Sequence, residues 1–255
     1  MAQAKQFWPG LYQEAWGFMT LPWIKRDVEA PSAPFLSKTE VILFLGGILS
    51  VPRLYRRVAA EITRQTGIPV EFPWIGGEWT NMNWLAFERS VDLLRKEIEL
   101  VHRRGKTVAG IVGYSLGGIQ GSAVLEELEE LKWLFMVASP IWGTPIKLLE
   151  YLATYRLEFD VSNPPPRFRN MRERLPSMAH RLVAISFPGD FFAPPSQCEI
   201  EGATNIICDE EAAHQWGHEY WEAVHLNCIE YPAIPRIAAA HFLEATDSPI
   251  RACAS

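Results

Sequence analysis

The chain has 255 residues, with 24 Lys and Arg against 30 Asp and Glu, which gives a formal net charge of −6. A protein that binds nucleic acid through phosphates needs a basic surface, so this acidic composition argues against nucleic acid as a partner. Hydrophobic residues make up 48% of the chain and charged residues 21%, proportions that are typical of globular domains and exclude a disordered polymer.

Residues 1–38 are rich in aromatic side chains and predict an irregular arm ahead of the first domain. No apolar run in the chain reaches the roughly 18 residues that a transmembrane helix needs. The N-terminus also lacks the uninterrupted apolar stretch of a signal peptide. We therefore expect a cytoplasmic protein without a transmembrane segment. Secretion stays open, and contact of the arm with a membrane surface is an alternative.

From Val41 onward, short apolar runs alternate with longer amphipathic segments. Most of the runs are continuous rather than alternating, which is typical of strands that are buried on both faces. Strands that alternate with helices predict βαβ units and a mostly parallel sheet that is covered on both sides. The six predicted strands are residues 41–45, 69–72, 107–112, 133–137, 182–185 and 205–208.

Helices are predicted between these strands. The clearest has an apolar stripe at alternating spacings of three and four, and it ends at Gly105. Its members are Trp84, Phe87, Val91, Leu94, Ile98 and Val101. The whole pattern predicts a domain at residues 39–248 with a cap inserted at about 144–180, followed by a tail at 249–255.

A glycine-rich turn follows the third predicted strand. Residues 113–118 fit the pattern G-x-S-x-G with Ser115 at its centre, and a helix is predicted at 119–131. A serine at a tight strand-to-helix turn has a strained backbone, so small residues must lie two positions before and after it. We therefore interpret Ser115 as a nucleophile. A phosphate-binding loop is the alternative, but the turn lacks a Walker lysine and a G-x-G-x-x-G pattern.

This turn and several other segments resemble the α/β-hydrolase family, in particular its lipase and esterase branch, with some likeness to GPI-inositol-deacylase-like hydrolases. The resemblance extends from about Val41 to Leu243. The other segments that carry it are residues 44–49, 138–145, 189–194 and 224–226. It implies an α/β-hydrolase fold, with a mostly parallel sheet of about six strands, helices on both faces and a small inserted cap.

The resemblance also implies an oxyanion hole made by backbone N–H groups. Leu116 directly follows the nucleophile and is the first expected donor. In lipase-like proteins the second donor follows a His-Gly pair after the first core strand. Two glycines stand there in this chain, so Ile48 is the expected donor and Gly47 the second choice. Because Ser50 and Pro52 also fit the start of a helix, a plain turn is the alternative.

A nucleophilic serine needs a base, and the base needs an acid that orients it. In this family the chain order is Ser, acid, His. Asp190 follows a strand in a segment that looks like the family's acid loop, and we expect it to be the acid. A turn-forming Asp is the alternative interpretation, and Asp209 is the reserve candidate. His225 lies beyond the last strand and before a final predicted helix at 234–245, so it is the expected base.

Two further histidines, His214 and His218, are four residues apart and lie beside Glu219. A zinc pair is conceivable, but no clear third ligand is near in sequence, so surface histidines are favoured. The four cysteines lack a C-x-x-C spacing and leave any disulfide pairing open. We therefore expect neither a metal nor a cofactor.

Four aromatic side chains are candidates for the apolar walls of a substrate pocket. They are Trp142 after the fourth strand, Phe191 and Phe192 beside the expected acid, and Trp74 near a strand end. With a modest cap, this arrangement favours an apolar small-molecule ester with a short or medium acyl chain, hydrolysed through an acyl-enzyme. An acyltransferase or thioesterase of the same fold and a non-catalytic binding module are the alternatives.

Overall fold

The computed structural model of the chain describes residues 37, 39–48, 50–76, 85–145, 166–220, 223, 225 and 227–246. The predicted arm lies outside the described residues except for Ser37, and so does the predicted tail. Trp84, positions 146–165 of the predicted cap, and positions 49, 224 and 226 of the family-like segments are also outside. The domain limits therefore stay predictions.

Six parallel strands form one sheet. They pair in the order β2-β1-β3-β4-β5-β6. The strands are β1 (Glu40–Leu45), β2 (Val70–Glu71), β3 (Thr107–Tyr114), β4 (Trp133–Val137), β5 (Leu182–Ser186) and β6 (Thr204–Ile207). The predicted α/β class and the predicted sheet are confirmed. β3 extends two residues beyond its predicted end, up to the residue before Ser115.

Helices cover both faces of this sheet. The α-helices are α1 (Arg56–Thr66), α2 (Phe87–Arg103), α3 (Leu116–Ser122), α4 (Pro166–Arg174), α5 (Pro195–Cys198), α6 (Glu210–Gln215) and α7 (Ala233–Thr246). Short 3-10 helices lie at Pro52–Tyr55, Leu125–Glu127, Leu175–Arg181 and Cys228–Glu230. Among the described residues, no helix is long and apolar enough to cross a membrane.

Helix α2 follows its sequence pattern closely. The five described members of its apolar stripe are all buried. The helix ends at Arg103, and Gly105 just beyond it has a φ of 72°, a conformation that glycine adopts without steric cost. The predicted apolar face of this helix is confirmed.

The helix after Ser115 is shorter than predicted. It ends at Ser122 rather than continuing to residue 131, and a 3-10 turn follows. Three of its residues are glycine, which is a poor helix former. The apolar residues beyond it that suggested a longer helix are buried through the turn and the loop instead. They are Val124, Leu125, Leu128 and Leu131.

The core lies in two layers, one on each face of the sheet. One layer contains Leu43 and Ile111 with the apolar face of α2, and the other contains Phe44 and Phe135 with α1 and α7. A Cβ on Gly110 would lie 2.1 Å from the Phe242 ring, so the missing side chain in β3 leaves room for α7 to pack.

The described end of the predicted cap packs on the first of these layers. Phe168 of α4 is fully buried, and its ring meets the Phe87 ring edge-on at 5.8 Å between centroids. Leu175 is also fully buried in the same layer. Residues 166–181 are therefore attached to the main core.

The strand order places two loops side by side. The chain leaves β1 on one side to form β2 and then returns on the other side as β3. Such a reversal creates a crevice at the carboxyl ends of the two strands, where ligands bind in open α/β sheets. Gly46 follows β1 and Ser115 follows β3 at this point.

Candidate active site

Ser115 occupies a strained turn between β3 and α3. Its φ is 53° and its ψ is −118°, a combination that side-chain-bearing residues rarely adopt. A Cβ on Gly113 would lie 2.4 Å from the Cα of Gly118, and one on Gly117 would lie 2.2 Å from the carbonyl oxygen of Leu45. These contacts are with backbone and cannot move aside easily. Both glycines of the motif are therefore required for this turn.

Three buried polar side chains meet at the carboxyl edge of the sheet. The Nε2 atom of His225 lies 2.9 Å from Oγ of Ser115, and its Nδ1 atom lies 2.8 Å from Oδ2 of Asp190. An ionised carboxylate only accepts hydrogen bonds, so Nδ1 carries the proton and donates to Asp190. In the neutral ring, Nε2 is then left to accept from the Ser115 hydroxyl. The arrangement can draw a proton from the serine.

Asp190 is held by its own loop. Its side chain is fully buried, and its second carboxylate oxygen, Oδ1, accepts from the N–H groups of Phe192 at 2.9 Å and Ala193 at 2.8 Å. Both carboxylate oxygens are thereby engaged, and the carboxylate cannot rotate away from His225. Asp190 therefore both holds the turn of its own loop and binds the imidazole of His225.

His225 is fixed through its backbone as well as its ring. The hydroxyl of Tyr114 and the thiol of Cys228 both donate to its carbonyl oxygen. The Phe192 ring meets the imidazole edge-on, with 5.3 Å between centroids, and the Tyr114 ring lies 5.3 Å away. The side chain of His225 is only 11% exposed. These contacts set the position of the imidazole above Ser115.

The two expected oxyanion segments lie next to the serine. Leu116 is the first residue of α3, so its N–H belongs to the group that a helix leaves without an internal partner. A Cβ on Gly47 would lie 3.1 Å from the Cβ of Ser115, which places the loop after β1 against this serine. The N–H of Gly47 donates to the hydroxyl of Tyr55 at 3.2 Å. Gly47, the second choice as donor, therefore has its N–H engaged elsewhere.

The helix that Ser50 and Pro52 were expected to start is present as a 3-10 helix. The 3-10 helix starts at Pro52 with Val51 as its cap residue, and no side chain caps it. The Ser50 hydroxyl instead donates to the carbonyl oxygen of Gly47 at 2.5 Å. Ser50 therefore serves the loop after β1 and not the helix.

The four aromatic candidates for a pocket wall lie in different surroundings. Phe192 is in contact with the His225 ring, and Phe191 is half-buried beside Asp190. Trp142 donates its indole N–H to the carbonyl oxygen of Glu199 at 2.6 Å, and the guanidinium of Arg172 lies 4.7 Å from the ring centroid. Trp74 is 46% exposed. Their roles in binding stay predictions.

The reserve acid and His218 make other contacts. Asp209 caps α6 by accepting from the N–H of Ala212 at 2.9 Å. Nδ1 of His218 lies 2.9 Å from the carbonyl oxygen of Glu219. Among the described residues, no group of three or more His, Cys, Asp and Glu side chains is arranged to hold a metal ion.

Sequence reasoning missed two tyrosines that support the site. Tyr114 reaches the carbonyl of His225, a residue 111 positions further along the chain, and no local pattern indicates this contact. Tyr55 reaches Gly47 across eight residues and a helix start. The only available signal was the position of Tyr114 inside the glycine-rich motif.

Comparisons with known proteins agree with this architecture. No protein-family model matches the chain, and no curated protein matches it significantly in sequence. Solved structures do resemble it. The esterase domain of a Rhodothermus marinus protein has 17% identity and a TM-score of 0.50, with 84% of this chain and 88% of that chain covered.

Two lipases are similar to a comparable degree. The Bacillus licheniformis lipase BlEst2 in mature form has 14% identity and a TM-score of 0.56, with 83% of this chain and 96% of that chain covered. The Paleococcus ferrophilus monoacylglycerol lipase has 14% identity and a TM-score of 0.50, with 78% and 94% covered. Identities this low establish the fold alone. The chain has the α/β-hydrolase fold, and the solved structures that share it include esterases and lipases.

Proposed function

We propose that this chain is a serine-dependent carboxylic ester hydrolase. The observation that carries the proposal is the continuous hydrogen-bonded series Ser115, His225, Asp190, with distances of 2.9 Å and 2.8 Å. It lies at the carboxyl ends of β1 and β3, the place at which open α/β sheets bind their ligands. The fold of known esterases and lipases supports the same reaction class.

The geometry supports a two-step reaction. Oγ of Ser115 attacks the ester carbonyl while Nε2 of His225 takes the hydroxyl proton. The tetrahedral oxyanion is stabilised by the N–H groups of Leu116 and Ile48. The C–O bond then breaks, and the imidazolium returns the proton to the leaving alcohol, which leaves an acyl-enzyme. Water attacks the acyl group by the same route, and the acid and free Ser115 are released.

Asp190 stabilises the imidazolium without taking up its proton. Because both of its carboxylate oxygens are held, its orientation does not have to be established during the reaction. Preorganisation of this kind lowers the barrier, since no group must reorient as charge develops.

The substrate class is an apolar small-molecule ester with a short or medium acyl chain. Its support is the aromatic surroundings of the base, where Phe192 packs against His225. Apolar walls with few polar anchors bind acyl chains through buried surface. A series of nitrophenyl esters from acetate to palmitate tests this assignment. A rise in kcat/KM up to medium chains is expected, and a preference for long-chain emulsions would contradict it.

Labelling with a fluorophosphonate tests the mechanism itself. The reagent should modify Ser115 and no other serine, as identified by peptide mapping. The Ser115→Ala variant serves as the unlabelled control, and Ser122→Ala should label like the wild type because Ser122 bonds within its own helix, to the carbonyl of Ile119. Label on another residue, or no label on the wild type, would overturn the proposal.

A further inference from the structure

The loop after β1 is held by two hydroxyl groups. The carbonyl oxygen of Gly47 accepts from the Ser50 hydroxyl at 2.5 Å and from the Ser50 N–H at 3.2 Å. On its other side, the N–H of Gly47 donates to the Tyr55 hydroxyl at 3.2 Å. Both backbone polar groups of Gly47 are therefore bound, although the loop carries no histidine.

These bonds determine where the next N–H points. The peptide between Gly47 and Ile48 is planar, and in a trans peptide the N–H points opposite to the carbonyl. Among the described residues there is no cis peptide bond. Since Ser50 holds the carbonyl on one side, the N–H of Ile48 is turned to the opposite side. Gly47 itself lies against Ser115, as the 3.1 Å approach of a Cβ placed on it shows.

Tyr55 is a rigid anchor for this arrangement. Its ring is 3% exposed and is stacked on Phe44 of β1 with 4.9 Å between centroids. It also lies 5.8 Å from the Tyr114 ring. Burial raises the pKa of the Tyr55 hydroxyl far above its ordinary value, so the group stays neutral and keeps its proton. The anchor thus connects the loop to both strands that flank the crevice.

The glycine pair after β1 is enclosed by the same two side chains. A Cβ on Gly46 would lie 2.4 Å from Oγ of Ser50 and 2.6 Å from the Tyr55 ring. Glycine has more accessible backbone conformations than other residues, so a glycine pair must be restrained to keep one of them. Packing and the hydrogen bonds with Ser50 and Tyr55 together provide that restraint.

We propose that Ser50 and Tyr55 are positioning residues that hold the Gly47–Ile48 peptide so that the Ile48 N–H donates to the oxyanion. The inference rests on the proposed ester hydrolysis and adds the means by which the second donor is oriented. Neither side chain touches the substrate. Their effect appears only as charge develops on the carbonyl oxygen, so it lowers the barrier without strengthening ground-state binding.

The test uses the full chain with Ser50→Ala and Tyr55→Phe, each of which removes only a hydroxyl. For each we expect kcat on a nitrophenyl ester to fall about tenfold to a hundredfold, with KM within about twofold of wild type. Ser122→Ala and Tyr231→Phe are the matched controls, because each removes a hydroxyl from a buried residue outside the loop after β1. Their kcat should stay within about twofold of wild type.

A pair of inhibitors distinguishes a misoriented Ile48 N–H from general damage to the binding pocket. A trifluoromethyl ketone adds reversibly to the serine and gives a hemiketal oxyanion, whereas the alcohol of the same chain binds without reacting. The affinity of the ketone should fall in Ser50→Ala and Tyr55→Phe by the same factor as kcat, while the affinity of the alcohol stays unchanged. Thermal unfolding of each variant shows that the measurements refer to folded protein.

Three results would overturn the inference. One is unchanged kcat in both variants. Another is equal loss of affinity for ketone and alcohol, which would indicate a damaged pocket. The third is a loss of kcat that matches the unfolded fraction. If the wild type shows neither ester turnover nor labelling of Ser115, the proposed function fails, and this inference fails with it. If the wild type is active and both variants are as active as the wild type, this inference fails and the proposed function stands.

Discussion

Two neighbouring strands of the sheet end in the same unusual way. Ser115 follows β3 with a φ of 53°, and Ala138 follows β4 with a φ of 47°. In each case the backbone N–H still reaches the next strand. Ser115 donates to Val137 and Ala138 donates to Ile185, both at 2.8 Å. The two strand ends thus share a backbone conformation that is costly for a residue with a side chain.

The two strand ends differ in what the strained residue presents. The Ser115 hydroxyl faces His225, whereas the methyl group of Ala138 is fully buried in the core beside Val137. A positive φ at this edge therefore does not identify a reactive residue by itself. The end of β3 is distinguished by the Ser115 hydroxyl and by the imidazole of His225 that meets it.

The largest expected effect comes from Ser115→Ala. Loss of the nucleophile should reduce kcat by a factor on the order of 10⁶, since the remaining groups act as a unit. Steady-state hydrolysis of a nitrophenyl ester measures it. Adding Ala138→Ser in this background places a hydroxyl at the matching end of β4, and it should restore nothing because that side chain is buried in the hydrophobic core. Recovery of activity there would remove the distinction between the two strand ends.

The next effect is expected from Asp190→Asn. The amide can turn its NH2 group toward Nδ1 of His225, which moves the ring proton to Nε2 and prevents it from accepting from Ser115. We expect kcat to fall by about 10⁴ with little change in the unfolding midpoint. Asp209→Asn is the control, because Asp209 caps a helix. Comparable losses of kcat in both would disprove the assignment of the acid.

Gly117→Ala tests whether the turn after β3 needs a residue without a side chain at this position. A Cβ there would lie 2.2 Å from the carbonyl oxygen of Leu45, so the turn and β1 must separate. We expect about 2–3 kcal/mol lower stability, by denaturant unfolding, and a loss of kcat. Gly105→Ala is the control, since its φ is 72° but nothing lies within 4 Å of a Cβ. It should cost about 1 kcal/mol and leave kcat unchanged.

The smallest effects separate the strain of the two strand ends. Ser115→Gly should be more stable than Ser115→Ala by about 1 kcal/mol, because glycine relieves a strained φ and ψ. Ala138→Gly should change stability by less than about 1 kcal/mol, because the relief is offset by the loss of a buried methyl group. Both come from urea unfolding curves. If replacing alanine by glycine raised the stability equally at positions 115 and 138, burial of the Ala138 methyl group would contribute nothing.

Much of the fold follows from local pattern. Continuous apolar runs predict the four central strands, which are buried on both faces, and the stripe in α2 predicts its buried side. The side chains of Ser115, Asp190 and His225 can be nominated from a motif and from chain order, and the structure brings them within hydrogen-bonding distance. Their catalytic roles remain proposals.

The remaining features depend on contacts between distant segments. The helix after Ser115 ends early because it is rich in glycine, and its glycines let it pack closely on the sheet, with a Cβ on Gly121 only 2.9 Å from Leu134. The sequence does not indicate the positive φ of Ala138, since alanine is common in every type of secondary structure. The hydroxyl of Tyr55 finds Gly47 only once β1 and the following helix are in place. Local sequence patterns cannot predict such contacts between distant segments.

The anchoring of His225 by the end of β3 has a consequence for how the protein is made. Tyr114 and Ser115 contact a residue that lies 111 and 110 positions further along the chain. Contacts this distant in sequence form late, because the entropy of closing a long loop is lost before the contacts can stabilise the chain. A ribosome therefore releases the serine well before the histidine that would activate it. On the proposed mechanism, a nascent chain stays inert toward esters until the segment after β6 docks, and the appearance of fluorophosphonate reactivity reports completion of folding.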